Sequence, residues 1–245
     1  MDDAPYSEQF SLTPIGHVVS DYPDKFGIPR QPGLAPAANA RLVLTAPYND
    51  PLAVRGLEAF SHLWLTFIFH HSPERWSPLV RPPRLGGNKK IGVFASRSTH
   101  RPNRLGLSLV RLAAIDTHSG VALELIGCDL VSGTPVIDIK PYLPWAESHP
   151  DAQAGFAPLA PELIEVVFLP AARDMLAKRQ DSASLHALIQ QVLAQDPRPA
   201  YKQKESDSDR VYGVRLRNVD VKFRCRQKQT ATTIEVMAIE PYSAG

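Results

Sequence analysis

The 245-residue chain has only two cysteines, Cys128 and Cys225. Two thiols cannot build a cysteine-based zinc site, and both fall in alternating apolar segments that predict small core side chains. No apolar run reaches the roughly 18 residues of a membrane span, and the opening MDDAPYSEQF lacks the basic and apolar regions of a secretory signal. These absences predict a soluble cytoplasmic protein. There is no G-x-G-x-x-G and no Walker A sequence, which excludes the usual glycine cradles for dinucleotides and nucleoside triphosphates. His62, His70 and His71 lie on an apolar stretch without H-E-x-x-H spacing, so they are expected to pack in the core or against a ligand, with no metal. A serine hydrolase is unsupported, because no G-x-S-x-G elbow occurs.

One absence is local. Between Arg75 and Arg111 there is no Asp or Glu, while Arg75, Arg81, Arg84, Lys89, Lys90, Arg97, Arg101, Arg104 and Arg111 all carry positive charge. The whole chain is nearly balanced, with 27 Lys and Arg against 25 Asp and Glu, so this clustering is what carries information. Self-repulsion of that kind predicts an anion lying across the segment. Glycines and prolines among these arginines fix backbone geometry, which a merely solvated face does not need.

Proline is abundant, at 23 residues, and punctuates short β-type segments. Strands are predicted at 15–20, 41–45, 62–70, 91–96, 107–115, 121–130 and 135–139, with a short helix at 51–60. Many short strands without alternating amphipathic helices predict a sheet curled into a barrel or sandwich. The stretch 148–161, SHPDAQAGFAPLAP, reads as a linker. Beyond it the pattern changes to helix over 170–195, with a cap at Asp181 or Ser182. An exposed polar loop around 203–210 follows. Strands are then predicted from 212 to 216, from 219 to 225 with a turn or bulge near Arg217 and Asn218, and from 233 to 239. The expected organisation is mainly β in residues 1–150 and a small α+β unit in 151–245.

The strings RQPGL, VRGLEAFSHLW, RPPRLGGN, GVFASRSTHRPN, DLVSGTPVIDIKPYLP and DPRPAY resemble the bacterial TrmO family across nearly the whole chain. The resemblance implies an N-terminal single-sheet β-barrel methyltransferase of the class VIII type that binds S-adenosyl-L-methionine, a C-terminal α+β domain assisting tRNA binding, and a homodimer. It implies N6-methylation of threonylcarbamoyladenosine at position 37 of tRNA, especially tRNA-Thr. Cofactor contacts carry over onto Gln31, Pro32, Gly33, Phe69, His70, Arg97, Leu107, Ile126, Gly127, Cys128 and Asp129. Arg104 departs from the family pattern, which has proline there.

A ureido N–H is a weak nucleophile, so its methylation calls for a proton acceptor and an orienting cation. Asp138 and Tyr142 are the expected acceptors or orienters and Lys140 the partner of the substrate carbonyl or carboxylate, since alternate positions share one strand face. Arg84, Arg101 and Arg104, with Lys89 and Lys90, suit carboxylate and phosphate. Asn103 is expected to read a base edge or to make a turn. Trp76 and Trp145 are candidates to stack on bases, and Trp64 is expected in the core. Arg198 and Tyr201 are expected near the anticodon loop.

Overall fold

A computed structural model of the protein describes residues 9–198, 209–228 and 231–242. The strands are β1 (Gly16–Ser20), β2 (Asn39–Leu44), β3 (His62–Ile68), β4 (Leu79–Val80), β5 (Ile91–Gly92), β6 (Leu105–Asp116), β7 (Ala122–Ile126), β8 (Pro135–Pro141), β9 (Glu165–Phe168), β10 (Tyr212–Leu216), β11 (Val219–Lys228) and β12 (Ala231–Pro241). The helices are α1 (Pro144–Glu147), α2 (Pro170–Ala177) and α3 (Ser182–Leu193).

Period-two alternation builds the first unit. In β3, Leu63, Leu65 and Phe67 are buried while His62, Trp64, Thr66 and Ile68 face outward, half-buried. The same alternation runs through β1, β2 and the first half of β6, and six strands close into a barrel in the order β1-β2-β7-β6-β3-β8. Its interior is filled by Val18, Leu42, Leu63, Leu65, Val110, Leu123, Leu125 and Val136, with Cys128 beneath them. Closure leaves the barrel without an edge strand. Trp64, expected in the core, instead lies on the outer face and donates Nε1–H to Glu147 at 2.9 Å. Both faces of β3 carry bulky side chains, so pattern alone did not say which turns inward.

Two expected elements take a different form. The segment predicted as strand over 91–96 is β5 followed by a single 3₁₀ turn at Val93–Ala95. The predicted helix at 51–60 is two 3₁₀ turns separated by Gly56 at φ 87°, the first capped by the Asp50 carboxylate accepting from the Leu52 N–H at 2.9 Å.

The second unit is a four-stranded sheet in the order β10-β11-β12-β9, with α2 and α3 packed on it. The helical stretch from 170 is two helices, and the Asp181 carboxylate at the start of α3, expected as a cap, instead accepts from Arg179 and Arg217. Its core is not confined to residues beyond 150. Tyr22, Ala35 and Ala38, from the connection between β1 and β2, are buried with Val192, Val214, Leu216 and Phe223. Among the described residues no helix is long and apolar enough to cross a membrane.

Candidate active site

Where β3 ends and β6 begins, a cleft of about 810 Å³ opens between three loops. One wall is the 21–38 connection, through Lys25, Ile28, Pro29, Arg30 and Gln31. A second is the 96–101 segment, and the third is the connection after β7, from Asp129 to Thr134. The floor is apolar: Phe67, Phe69, Leu105, Leu107 and Leu130. Size and lining suit a small organic ligand, whose sites run to roughly 300–1,000 Å³.

Backbone contacts hold two of these loops together. The Gly33 N–H donates to the Gly127 carbonyl at 2.8 Å, and the Gly127 N–H to that of Ala38 at 3.0 Å. Gly127 has φ +69° and a Cβ there would stand 3.2 Å from the Gly33 Cα, so a side chain would push the walls apart. Of the residues expected at the cofactor, Pro32, Gly33, Ile126, Gly127 and Cys128 do not themselves line the cleft that Gln31 and Asp129 line. Cys128 points into the barrel core, and burial pushes its thiol up to about 12, which makes it inert.

Asp129 is the cleft's acidic group. Burial pushes its carboxyl up to about 6, against the opposing effects of the Ser108 hydroxyl and Arg97. The Ser108 Oγ–H donates to Oδ1 at 2.5 Å. His70 is held below the ordinary imidazole value by burial first and by the neighbouring His71 second, their ring centroids 3.9 Å apart. His70 and Asp129 are candidate proton acceptors in this cleft, which His71 and His100 also line.

Several expected site residues do meet here: Gln31, Phe69, His70, Arg97, Leu107 and Asp129 line the cleft. The trio Asp138, Lys140 and Tyr142 does not. Strand β8 lies on the far side of β3 from β6, so Asp138 pairs with Thr66 and Lys140 with Trp64 on the barrel's outer face. Thr66 lines the cleft, which leaves Asp138 one strand beyond its rim. Tyr142 sets its ring edgewise to Trp64, centroids 6.1 Å apart.

The basic residues divide. Lys89, Lys90 and Asn103 are exposed. Arg84 is exposed yet donates Nη1–H to the Leu159 carbonyl at 2.7 Å, tying the basic loop to the linker. Arg101 lines the cleft and holds the Ser96 carbonyl at 3.0 Å, so it shapes its own loop. Arg104 takes φ +52°, a backbone region that proline at this position could not enter. Arg198, expected at the RNA, is buried against Asp196, Nη2 to Oδ2 2.8 Å, and is part of the second unit's packing. Tyr201 and most of the predicted polar loop lie outside the described residues. Residues that sequence reasoning missed are Lys25, Thr66, His100 and Thr134 on the cleft walls, and Ser108 behind Asp129. Only the tertiary fold brings Lys25 to this wall, where its Nζ donates to the His71 carbonyl at 2.5 Å.

Comparison with known proteins agrees along the whole chain. The family described as the tRNA-methyltransferase O N-terminal domain matches residues 17–148, and the TrmO C-terminal domain matches 161–242. The chain belongs to the TrmO family. An Escherichia coli relative named tRNA (adenine(37)-N6)-methyltransferase is 50% identical, over 95% of this chain and 98% of its own. A Pseudomonas aeruginosa protein, provisionally named an S-adenosylmethionine-dependent methyltransferase, RcsF, is 46% identical over 92% of this chain and 97% of its own. A crystal structure of TrmO from Pseudomonas aeruginosa superimposes with a TM-score of 0.78 at 38% identity, covering 97% of this chain and 99% of that one. Among the described residues no group of His, Cys, Asp or Glu is arranged to hold a metal ion.

Proposed function

We propose that this TrmO-family chain transfers a methyl group from S-adenosylmethionine to N6 of adenosine 37 in tRNA, and that the acceptor is threonylcarbamoyladenosine, with tRNA-Thr among its substrates. The names of its relatives support the donor and the adenosine. The cleft's lining fits the donor: apolar side chains for the adenine and thioether parts, Arg97 for the methionyl carboxylate, Asp129 for hydroxyl or ammonium groups. When bound, the donor supplies an electrophilic methyl on a sulfonium. The reaction takes one proton from N6, forms the N–C bond and breaks the C–S bond in line, with S-adenosylhomocysteine leaving.

The observation that carries the finer reading is the cleft's charge. Among the described residues that line the cleft, Lys25, Arg30, Arg97 and Arg101 stand with one carboxylate, Asp129. A site for a sulfonium donor that is itself cationic calls for an acceptor rich in negative charge. The threonyl carboxylate of the modified base provides it beside the tRNA phosphates, and plain adenosine does not. A homodimer belongs to the same reading: Leu107, in the cleft's apolar floor, is 51% exposed. Sedimentation of the purified chain reports it, and a monomer at micromolar concentration counts against it. A tRNA substrate implies a cytoplasmic site of action.

The test is label transfer from the methyl donor to tRNA-Thr transcribed in vitro, before and after enzymatic threonylcarbamoylation. Incorporation is expected only after modification, because the threonyl carboxylate gives Lys25, Arg30, Arg97 and Arg101 on the cleft walls an anion to pair with that plain adenosine lacks. Equal incorporation into both would restrict the basic residues to phosphate contacts and remove the finer substrate assignment.

A further inference from the structure

We propose that the C-terminal unit holds the donor-binding loop in its working shape, and that Arg217 is the positioning residue at the joint. The proposal rests on the cleft being the donor site. Residues 21–38 form an 18-residue connection with no helix or strand of their own. A connection of that length is costly to order, at about 1–2 kcal/mol per residue, so something must hold it.

The barrel supplies part of the hold, through the Gly33 and Ala38 contacts with Gly127. The rest comes from beyond residue 160. Tyr22, Ala35 and Ala38 are at most 2% exposed within the second unit's core, and Phe26 and Ile28 pack against it. A Cβ on Gly27 would meet Val214 Cγ2 at 2.3 Å, which measures how closely the loop backbone lies on β10. The Ala37 N–H donates to Gln191 Oε1 at 2.7 Å, and Gln195 Nε2–H donates to the Leu34 carbonyl at 3.1 Å.

Asp21 closes the loop at its neck. Its Oδ2 accepts from the Asn39 N–H at 2.9 Å, joining the two ends. Arg217, in the β10–β11 turn at φ +52°, fixes Asp21 from the other unit: its N–H donates to the Asp21 carbonyl at 2.9 Å and its Nε–H to Oδ1 at 3.0 Å. The same guanidinium reaches Asp181 Oδ2 at 3.1 Å and Ser184 Oγ at 2.9 Å, so the loop is referenced to the start of α3. Both side chains are largely buried, at 17% and 13% exposure, where such a pair resists solvent screening. Between this neck and Gly33 lie Lys25, Ile28, Pro29, Arg30 and Gln31, which form the cleft wall.

Without the clamp the loop samples shapes in which that wall is displaced, and donor affinity falls by the fraction of time the wall is in place. Arg217→Gln is expected to raise the Kd for S-adenosylhomocysteine about tenfold, with kcat at saturating donor little changed and KM for tRNA within about twofold. Amide hydrogen exchange should rise across 21–38 and stay unchanged in β3 and β6. Arg217→Lys, which keeps one of the two carboxylate contacts, should fall between. Gln191→Leu, at the loop's other end, repeats the measurement should the arginine variants fail to fold. Unchanged exchange in the loop with unchanged affinity overturns the clamp. Raised exchange with unchanged affinity overturns the assignment of this cleft to the donor, and the proposal with it.

Discussion

Asp129 shows how a single residue can work against the fold for the sake of a site. In an unfolded chain it titrates near 3.8, and in the fold burial pushes it up to about 6. Below pH about 4 both states hold the proton and the residue has no pH-linked effect. As pH rises toward 6 the unfolded chain loses its proton first, so folding becomes progressively less favourable, and above 6 the whole penalty is present. Two units correspond to roughly 3 kcal/mol at most. Asp129→Asn keeps an acceptor for the Ser108 hydroxyl and removes the charge. It is expected to raise the melting temperature at pH 7.5 with the gain vanishing near pH 4, while weakening donor binding. Thermal melts across pH check the first half and calorimetric titration the second. A variant that melts lower at pH 7.5 would show that the charge is compensated inside the cleft.

At the scale of elements, period-two alternation made β1, β2, β3 and β6 legible, because half of each strand faces a closed interior. Strand β9 was not legible: its four residues pair in parallel with β12, far along the chain, and nothing local marks them. The basic stretch was visible as charge but its division of labour was not. Lys89 and Lys90, beside the β4–β5 pair, are exposed, whereas Arg101 spends its guanidinium on carbonyls of its own loop. Lys89→Ala and Lys90→Ala are therefore expected to leave donor affinity unchanged and each to reduce the salt slope of tRNA binding by about one unit. Arg101→Ala should weaken donor and tRNA together, since the loop carrying Arg97 loses its brace. Binding titrations over a range of salt separate the two classes, and a steep loss of donor affinity in Lys89→Ala would contradict this division.

For the whole molecule, composition and the linker at 148–161 located the two sheets but not their dependence on each other. Hydrophobic patterning within each half cannot reveal that a turn-rich loop near the N-terminus completes the core of the distant half. Tyr22, Ala35 and Ala38 carry no periodic signal, yet each is buried against the second sheet. A chain ending at residue 150 keeps all six barrel strands and every residue lining the cleft. It nevertheless uncovers Tyr22, Phe26, Ile28, Ala35 and Ala38, and it leaves Asp21 without Arg217. The barrel's own interior, from Val18 to Val136, is untouched by the cut, so the truncated chain is expected to show β-type circular dichroism and cooperative melting. Its affinity for S-adenosylmethionine should nonetheless drop by at least tenfold relative to the full chain, because the loop wall is no longer held. Adding residues 151–245 as a separate chain should restore part of that affinity, as docking re-covers the exposed apolar surface. A truncated barrel that binds the donor as tightly as the full chain would show that the Gly33 and Gly127 contacts alone suffice to shape the site, and that the C-terminal unit serves the RNA instead.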